Sequence, residues 1–182
     1  MVLALPGAAD AVRYATGAIG YGEALQASGV WSVRLLIATL AVSGLRAAFP
    51  GARWSAWLLR RRRDLGVATF GYAALHLGIY LVKKAPMPVL IVREGVEPGM
   101  AVGWIAFVVF AALAATSNDA SVRAMGRGWK ALHRFVYAGA ALTVAHWLMT
   151  AFELTEGLMH SAGLVTAAVT GRALRLRRSP DP

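Results

Sequence analysis

Three of the four histidines lie inside stretches that the sequence predicts to span a membrane. His76 lies in the second predicted span, His133 and His146 lie in the fourth, and His160 lies near the outer end of the fifth. An ionisable side chain in a bilayer is costly, which makes it a functional hypothesis by default. Neutral imidazole is a common axial ligand of haem iron, so haem binding is the interpretation we favour. Structural hydrogen bonding and proton relay are the alternatives for each histidine.

The positions of these histidines along the predicted helices place two of them at one depth. His76 lies about 16 Å into the span that begins at Leu65, at 1.5 Å of rise per residue. His133 and His146 are about 20 Å apart along the fourth predicted span. The second and fourth spans both run from the inside outward. His76 and His146 can therefore bracket one haem iron, whereas His133 lies closer to the inner face.

A second, inner haem is less well supported by the same geometry. The spacing of His133 and His146 rotates an ideal helix by about 140°, so the two side chains do not share one stripe. One haem level below His76 the sequence has Arg62 and Arg63 instead of a second histidine. The sequence therefore predicts one haem, and a second would need a different ligand.

Several other residues have two interpretations each. His160 is either an alternative ligand or an interfacial packing residue, and Arg34 either pairs with a haem propionate or snorkels to the interface. Small residues in the two candidate spans either let a flat macrocycle approach or serve helix packing. These small residues are Gly66, Gly71, Gly78 and Gly139.

The elements that must position the histidines are membrane helices. The chain has 182 residues, of which 58% are hydrophobic, and about 20 mostly apolar residues suffice to cross a bilayer core. The sequence predicts an all-α integral membrane protein, a bundle of about five transmembrane helices, because helices satisfy their own backbone groups in lipid. The apolar runs cover residues 24–45, 65–82, 98–118, 135–152 and 157–171.

The distribution of basic residues predicts the orientation of the bundle. If the Arg60 to Arg63 loop is cytoplasmic, fourteen of the nineteen Lys and Arg residues fall on the inner side, as the positive-inside rule requires. We therefore expect a multi-pass protein of the bacterial inner membrane, with its N-terminus periplasmic and its C-terminus cytoplasmic. A net charge of +10 distributed in this way indicates a membrane protein rather than one that binds nucleic acid.

The sequence divides into one haem-binding domain and two flanking segments. Residues 1–23 are predicted to be an outer-face or interfacial segment, residues 24–174 the transmembrane domain, and residues 175–182 a basic cytoplasmic tail. With no cysteine in the chain, covalent c-type haem attachment is excluded. No glycine fingerprint of a nucleotide fold is present either, so a nicotinamide donor would have to act through another protein.

Two motifs resemble the MsrQ family of ferric-reductase-like membrane proteins. In one, a basic pair and Leu-Gly precede a span with Leu-His, in the segment RRRDLGVATFGYAALHLGIY at residues 61–80. In the other, Gly, Trp and Leu-His-Arg occur in MGRGWKALHRFVY at residues 125–137, followed by His146. The segment ALAATS at residues 112–117 is similar to the end of that family's preceding span. The resemblance covers about two thirds of the chain.

This resemblance implies an electron-transfer subunit of an oxidoreductase system rather than a complete enzyme. Such a protein carries haem b and relays electrons from a cytoplasmic flavin reductase or quinol to a periplasmic acceptor, such as a molybdenum methionine sulfoxide reductase. The resemblance implies His76, His133 and His146 as the haem ligands, and the family is also associated with FMN.

Two functions of other classes stay open from the sequence. A non-catalytic structural or assembly subunit of a larger membrane complex would need the spans but no haem. A proton or ion transporter would use the same histidines as titrating groups, and it would more often contain intramembrane carboxylates. Here Glu153 and Glu156 lie only at the outer edge, so we rank the structural role second.

Overall fold

The structure is a computed structural model that describes residues 2–150 and 154–176. Across these ranges the chain is almost entirely helical and contains no strand. A short 3₁₀ turn, Val2–Ala4, is followed by helices α1 Leu5–Ala15, α2 Tyr21–Ala48, α3 Arg53–Lys84, α4 Pro88–Gly95, α5 Pro98–Ala115, α6 Asp119–Met125, α7 Arg127–His133, α8 Val136–Thr150 and α9 Leu154–Leu176.

The prediction of an all-α membrane protein is confirmed. Helices α2, α3 and α5 contain 28, 32 and 18 residues and are long and apolar enough to cross a membrane. Helices α8 and α9 correspond to the other two predicted spans, and α9 contains a shorter apolar stretch, Gly157–Thr170. The predicted tail from residue 177 onward lies outside the described residues, as do residues 151–153 between α8 and α9.

The five longer helices α2, α3, α5, α8 and α9 form a closed ring. Helix α2 packs between α3 and α9, α5 packs against α3 and α8, and α8 also contacts α9. Apolar side chains from four of these helices meet at the centre, where Leu36, Leu40, Phe110, Leu113, Ala140 and Leu164 are buried together. In a membrane, this burial stabilises the bundle through close packing and not through the hydrophobic effect, because the surrounding lipid is as apolar as the core.

The fourth predicted span is interrupted, which corrects one expectation from the sequence. His133 and His146 were predicted to share this span, but a turn at Arg134 and Phe135 separates α7 from α8. His133 therefore ends a short helix of its own. Another turn precedes α7 at Gly126, whose φ of +51° favours glycine. Because of these two turns, the orientation of the His133 side chain does not depend on that of His146.

At each end of the bundle, an ion pair connects α3 to a neighbouring short helix. At one end Arg63 Nη1 lies 2.6 Å from Asp119 Oδ1, which joins α3 to α6. This hydrogen bond and the charge of Arg63 hold the pKa of Asp119 below its ordinary value. The pair is thus fully charged at neutral pH. Its contribution to the stability of the fold is lost only as the pH falls through the lowered pKa of Asp119. At the other end Lys84 Nζ lies 2.5 Å from Glu94 Oε1, which joins α3 to α4.

Tyr72 of α3 caps the beginning of α1. The first backbone N–H groups of a helix have no acceptor within it. The Gly7 N–H, in the first turn of α1, donates to the Tyr72 hydroxyl oxygen at 2.8 Å, and that hydroxyl donates to the Leu3 carbonyl oxygen at 3.0 Å. Gly7 is buried, and a Cβ there would lie 2.7 Å from the Tyr72 ring. This contact fixes α1 against α3 one helical turn before His76.

We predict that Tyr72→Phe lowers the stability of the protein by about 1–3 kcal/mol, because the buried Gly7 N–H then lacks an acceptor. The measurement is thermal unfolding in detergent, followed by circular dichroism. Tyr14→Phe is the matched control, since no described residue hydrogen-bonds to the Tyr14 hydroxyl. Equal melting temperatures for the two variants would show that the Tyr72 contact contributes nothing.

Candidate functional site

His76 is held by the backbone of the neighbouring helix. It lies on α3, and its Nδ1–H donates to the Leu25 carbonyl oxygen of α2 at 2.9 Å. The Ser28 hydroxyl oxygen lies 3.4 Å from the same nitrogen and donates its own proton to the backbone of α2. Since a carbonyl oxygen only accepts, the proton must be on Nδ1. The Nε2 atom of neutral His76 therefore keeps its lone pair for a ligand.

His146 is held in the same way on the opposite side of the bundle. It lies on α8, and its Nδ1–H donates to the Gly99 carbonyl oxygen in the first turn of α5 at 2.7 Å. No described residue hydrogen-bonds to Nε2 of His146 or of His76. Histidines that bind metals usually donate their other ring N–H to a carbonyl or carboxylate, which fixes the tautomer and the orientation of the ring. Both histidines have this arrangement.

Two glycines allow the imidazoles to approach these carbonyl groups. A Cβ at Gly29 would lie 3.2 Å from His76 Nδ1, and a Cβ at Gly103 would lie 2.6 Å from His146 Nδ1. Each glycine follows the accepting residue, Leu25 or Gly99, by four positions, so it lies one turn along the same helix face. The α2–α3 contact and the α5–α8 contact thus have the same arrangement, in which a glycine one turn after the accepting carbonyl group makes room for the imidazole.

The two imidazole rings lie next to each other. The ring centres of His76 and His146 are 6.5 Å apart, and their planes meet at 89°. If one metal ion lay between two Nε2 atoms at about 2.0 Å from each, the ring centres would be roughly 6.3 Å apart. The observed separation matches that value. The prediction that these two side chains lie at matched depth therefore agrees with the structure.

The donor set also fits haem. Within the described residues, no group of three or more His, Cys, Asp or Glu side chains is placed to hold a metal ion. His76 and His146 instead form a pair. A pair of imidazoles suits an iron whose four remaining ligands come from a macrocycle, as in proteins that hold haem through axial ligands alone.

His133 lies in a different cluster. Its ring stacks on Trp129 with the centres 3.9 Å apart, and its Nε2 lies 3.1 Å from Thr116 Oγ1. The Thr116 hydroxyl donates to the Ala112 carbonyl oxygen at 2.7 Å, so it accepts from His133 Nε2–H. His133 therefore has the opposite tautomer to the other two histidines. The charges of Arg62 and Arg63 act on its ring from α3.

The remaining sequence candidates lie apart from the His76–His146 pair. His160 stacks on Trp147, with ring centres 5.0 Å apart. Arg34 is exposed, and its guanidinium lies 5.6 Å from the centre of the Trp31 ring. None of the four glycines named from the sequence approaches either imidazole. A Cβ at Gly71 or Gly78 would meet nothing within 4 Å, one at Gly66 would meet only Thr39, and one at Gly139 would meet Val109 and Phe110.

The sequence profile described as "Ferric reductase like transmembrane component" matches residues 28–144. This range includes Gly29, His76, Gly103 and His133 and ends two residues before His146. No solved structure matches the chain.

Three curated relatives have the name "Protein-methionine-sulfoxide reductase heme-binding subunit MsrQ". The chain is 36% identical to the protein of Rhizobium meliloti (strain 1021) over 82% of its own length and 68% of that relative. It is 38% identical to the Azospira oryzae protein over 79% of its length and 61% of that relative. It is 42% identical to the Ralstonia nicotianae protein over 67% of its length and 56% of that relative. The chain thus spans between about half and two thirds of these relatives.

Proposed function

The chain belongs to the ferric reductase-like transmembrane family, in its MsrQ-like group, and from that membership we propose that it is a haem b electron-transfer subunit of a membrane oxidoreductase system. The observation that supports this proposal most strongly is the His76–His146 pair, with ring centres 6.5 Å apart and both Nδ1 atoms bonded to backbone carbonyl groups. The relatives' names describe a heme-binding subunit.

In the proposed site, His76 and His146 would hold the haem. Bound there, the group would supply a one-electron redox couple without a position for a substrate. With no cysteine in the chain, it would be held non-covalently, which is consistent with the proposed haem b.

The protein's own contribution is to orient the ligands and to keep the site apolar. The carbonyl groups of Leu25 and Gly99 accept a hydrogen bond from Nδ1–H of each imidazole. These hydrogen bonds keep the lone pair of each neutral ring on Nε2 and increase the basicity of that nitrogen. Next to the site, Ile79 and Ala24 are buried, and Leu75 packs against them. Burial and axial ligation are the main factors by which a protein sets the potential of such a centre.

We propose that the chain works across the bacterial inner membrane, with Arg60 to Arg63 on the cytoplasmic side. Electrons would enter from a cytoplasmic flavin reductase or from quinol. They would leave to a periplasmic acceptor, such as a molybdenum methionine sulfoxide reductase. The excess of basic residues at one end of the bundle supports this orientation. FMN is implied by the family resemblance, and no described residues are assigned to it.

His133 is assigned to a separate, inner level of the membrane. We predict that His133→Ala keeps the haem at the His76–His146 pair, because neither of those rings contacts the Trp129–Thr116 cluster. The measurement is the dithionite-reduced minus air-oxidised absorption spectrum. A lower haem-to-protein ratio with the b-type band retained would assign His133 to an inner haem. Complete loss of the band would contradict the assignment of the pair.

The electron-transfer function can be tested in lipid vesicles that contain the full chain and haem. Dithionite is sealed inside and ferricyanide is added outside, since neither ion crosses a bilayer. In a second arm, a quinol in the membrane replaces dithionite as the donor. We expect faster ferricyanide reduction with the wild-type chain than with His76→Ala in at least one arm.

His160→Ala is the matched control, because it removes another half-buried histidine of the same bundle. This variant should reduce ferricyanide at the wild-type rate. If wild-type and His76→Ala vesicles had equal rates in both arms, electron transfer through the pair would be wrong. A structural or assembly subunit would then be the better description.

A further inference from the structure

Helix α4 exposes an apolar face that no described part of the chain covers. Val89 and Val92 are 70% and 72% exposed, and Val96, directly after the helix, is 78% exposed. At about 100° per residue these three valines fall within roughly 60° of one another. They form one stripe, which we call the valine face of α4.

The opposite side of α4 is bound to the bundle. The carboxylate of Glu94 accepts a hydrogen bond from the Tyr80 hydroxyl at 2.9 Å and one from Lys84 Nζ at 2.5 Å. Glu94 lies about 190° around the helix from the centre of the valine face. Leu90 and Ile91, on the Glu94 side, are half-buried. The rotation of α4 is thus fixed, and the valine face points away from the bundle.

Helix α4 lies beside the ends of its neighbours and not above them. Tyr80, whose hydroxyl contacts Glu94, precedes the end of α3 by four residues, so its Cα lies about 6 Å below that end. Gly95 lies against Trp104, which is about 9 Å inside the beginning of α5. Because α4 contacts the flanks of α3 and α5, its outer face is directed sideways, to where the bilayer surrounds the bundle.

The two helices that α4 contacts, α3 and α5, also expose apolar side chains. Val82, in the last turn of α3, is 67% exposed, and Ile105 of α5 is 55% exposed. Both belong to helices that are long and apolar enough to span the membrane. Arg93, which follows Val92 directly, lies beside the valine face, as expected of a cation that snorkels to lipid headgroups. A helix that is apolar on two opposite sides needs a cover on both.

From these observations we infer that the valine face of α4 is embedded in the lipid of the leaflet at that end of the bundle, so that α4 is an interfacial membrane helix. Lipid acyl chains occupy this face, and the ion pair of Lys84 with Glu94 holds the helix at the required depth and rotation. Because Gly99, in the first turn of α5, follows Gly95 at the end of α4 by only four residues, α4 also fixes the position of the turn that orients His146.

The absence of native cysteine makes this inference directly testable. A nitroxide label is attached to Val92→Cys, or to Val89→Cys, in the full chain reconstituted in phosphatidylcholine vesicles. Collision rates are then measured with oxygen, which concentrates in lipid, and with a water-soluble nickel chelate. Val108→Cys, on an exposed face of α5, is the lipid control. Gly51→Cys is the water control, since a Cβ there meets nothing within 4 Å.

We expect both α4 labels to collide mainly with oxygen, as the Val108 label does. Collision mainly with the nickel chelate, as at Gly51, would overturn the inference, because it would show that the valine face is in water and not in lipid. The result does not depend on haem. Failure of this inference would therefore leave the proposed electron-transfer function unaffected.

Discussion

Replacing His76 or His146 by alanine is expected to remove most of the haem from the purified protein. Each imidazole is oriented by a backbone carbonyl group, at 2.9 Å and 2.7 Å respectively, and no described residue hydrogen-bonds to Nε2 of either ring. No described His, Cys, Asp or Glu cluster offers a replacement ligand. The measurement is the haem-to-protein ratio after purification with haem supplied during expression, with the fold checked by circular dichroism.

The control for this experiment is His160→Ala. This variant should keep the wild-type haem content, because the His160 ring packs on Trp147. The ligand assignment would be contradicted if a folded His76→Ala or His146→Ala protein kept full haem content and an unchanged spectrum. It would also be contradicted if all three variants lost haem equally, since the loss would then reflect general destabilisation.

Gly103→Ala is expected to weaken haem binding without unfolding the chain. The new Cβ would lie 2.6 Å from His146 Nδ1 and 2.8 Å from Cε1, so the ring must move away from the Gly99 carbonyl oxygen. Loss of such a supporting contact commonly reduces affinity roughly 10- to 100-fold. Alanine is the better helix former by about 1 kcal/mol, so helix propensity does not oppose the substitution. The measurement is haem titration of the apoprotein in detergent.

Gly78→Ala on α3 is the matched control for this variant. It has the same gain in helix propensity, and its Cβ would meet nothing within 4 Å. We expect Gly78→Ala to bind haem like the wild-type chain. Equal affinities for Gly103→Ala and Gly78→Ala would show that the close approach of α5 to His146 is not needed for binding.

The similar level of His76 and His146 along their helices could be predicted from the sequence. Apolar runs fix where each span begins, the helical rise fixes how deep each histidine lies, and the basic loops fix which spans run in the same direction. These three quantities can be read from residue types alone. They placed His76 and His146 at one level, and the structure has their ring centres 6.5 Å apart.

The parts that could not be predicted depend on rotation and contact between helices. Four glycines were considered on the spans with histidines, yet those that approach the imidazoles, Gly29 and Gly103, lie on the partner helices α2 and α5. Only the packing of α2 on α3 and of α5 on α8 identifies them. The turn after His133 was missed for a similar reason, since Arg134 and Phe135 contain no glycine or proline that would predict a helix end.

The most direct test of the central claim is the low-temperature electron paramagnetic resonance spectrum of the oxidised, haem-loaded protein. Two imidazoles on one ferric iron give a low-spin signal. Because the His76 and His146 planes meet at 89°, that signal should be strongly anisotropic, with a larger maximum g value than haems with parallel imidazoles show. A high-spin signal would contradict the proposed pair, and a rhombic low-spin signal typical of parallel rings would contradict the perpendicular orientation of the two imidazoles.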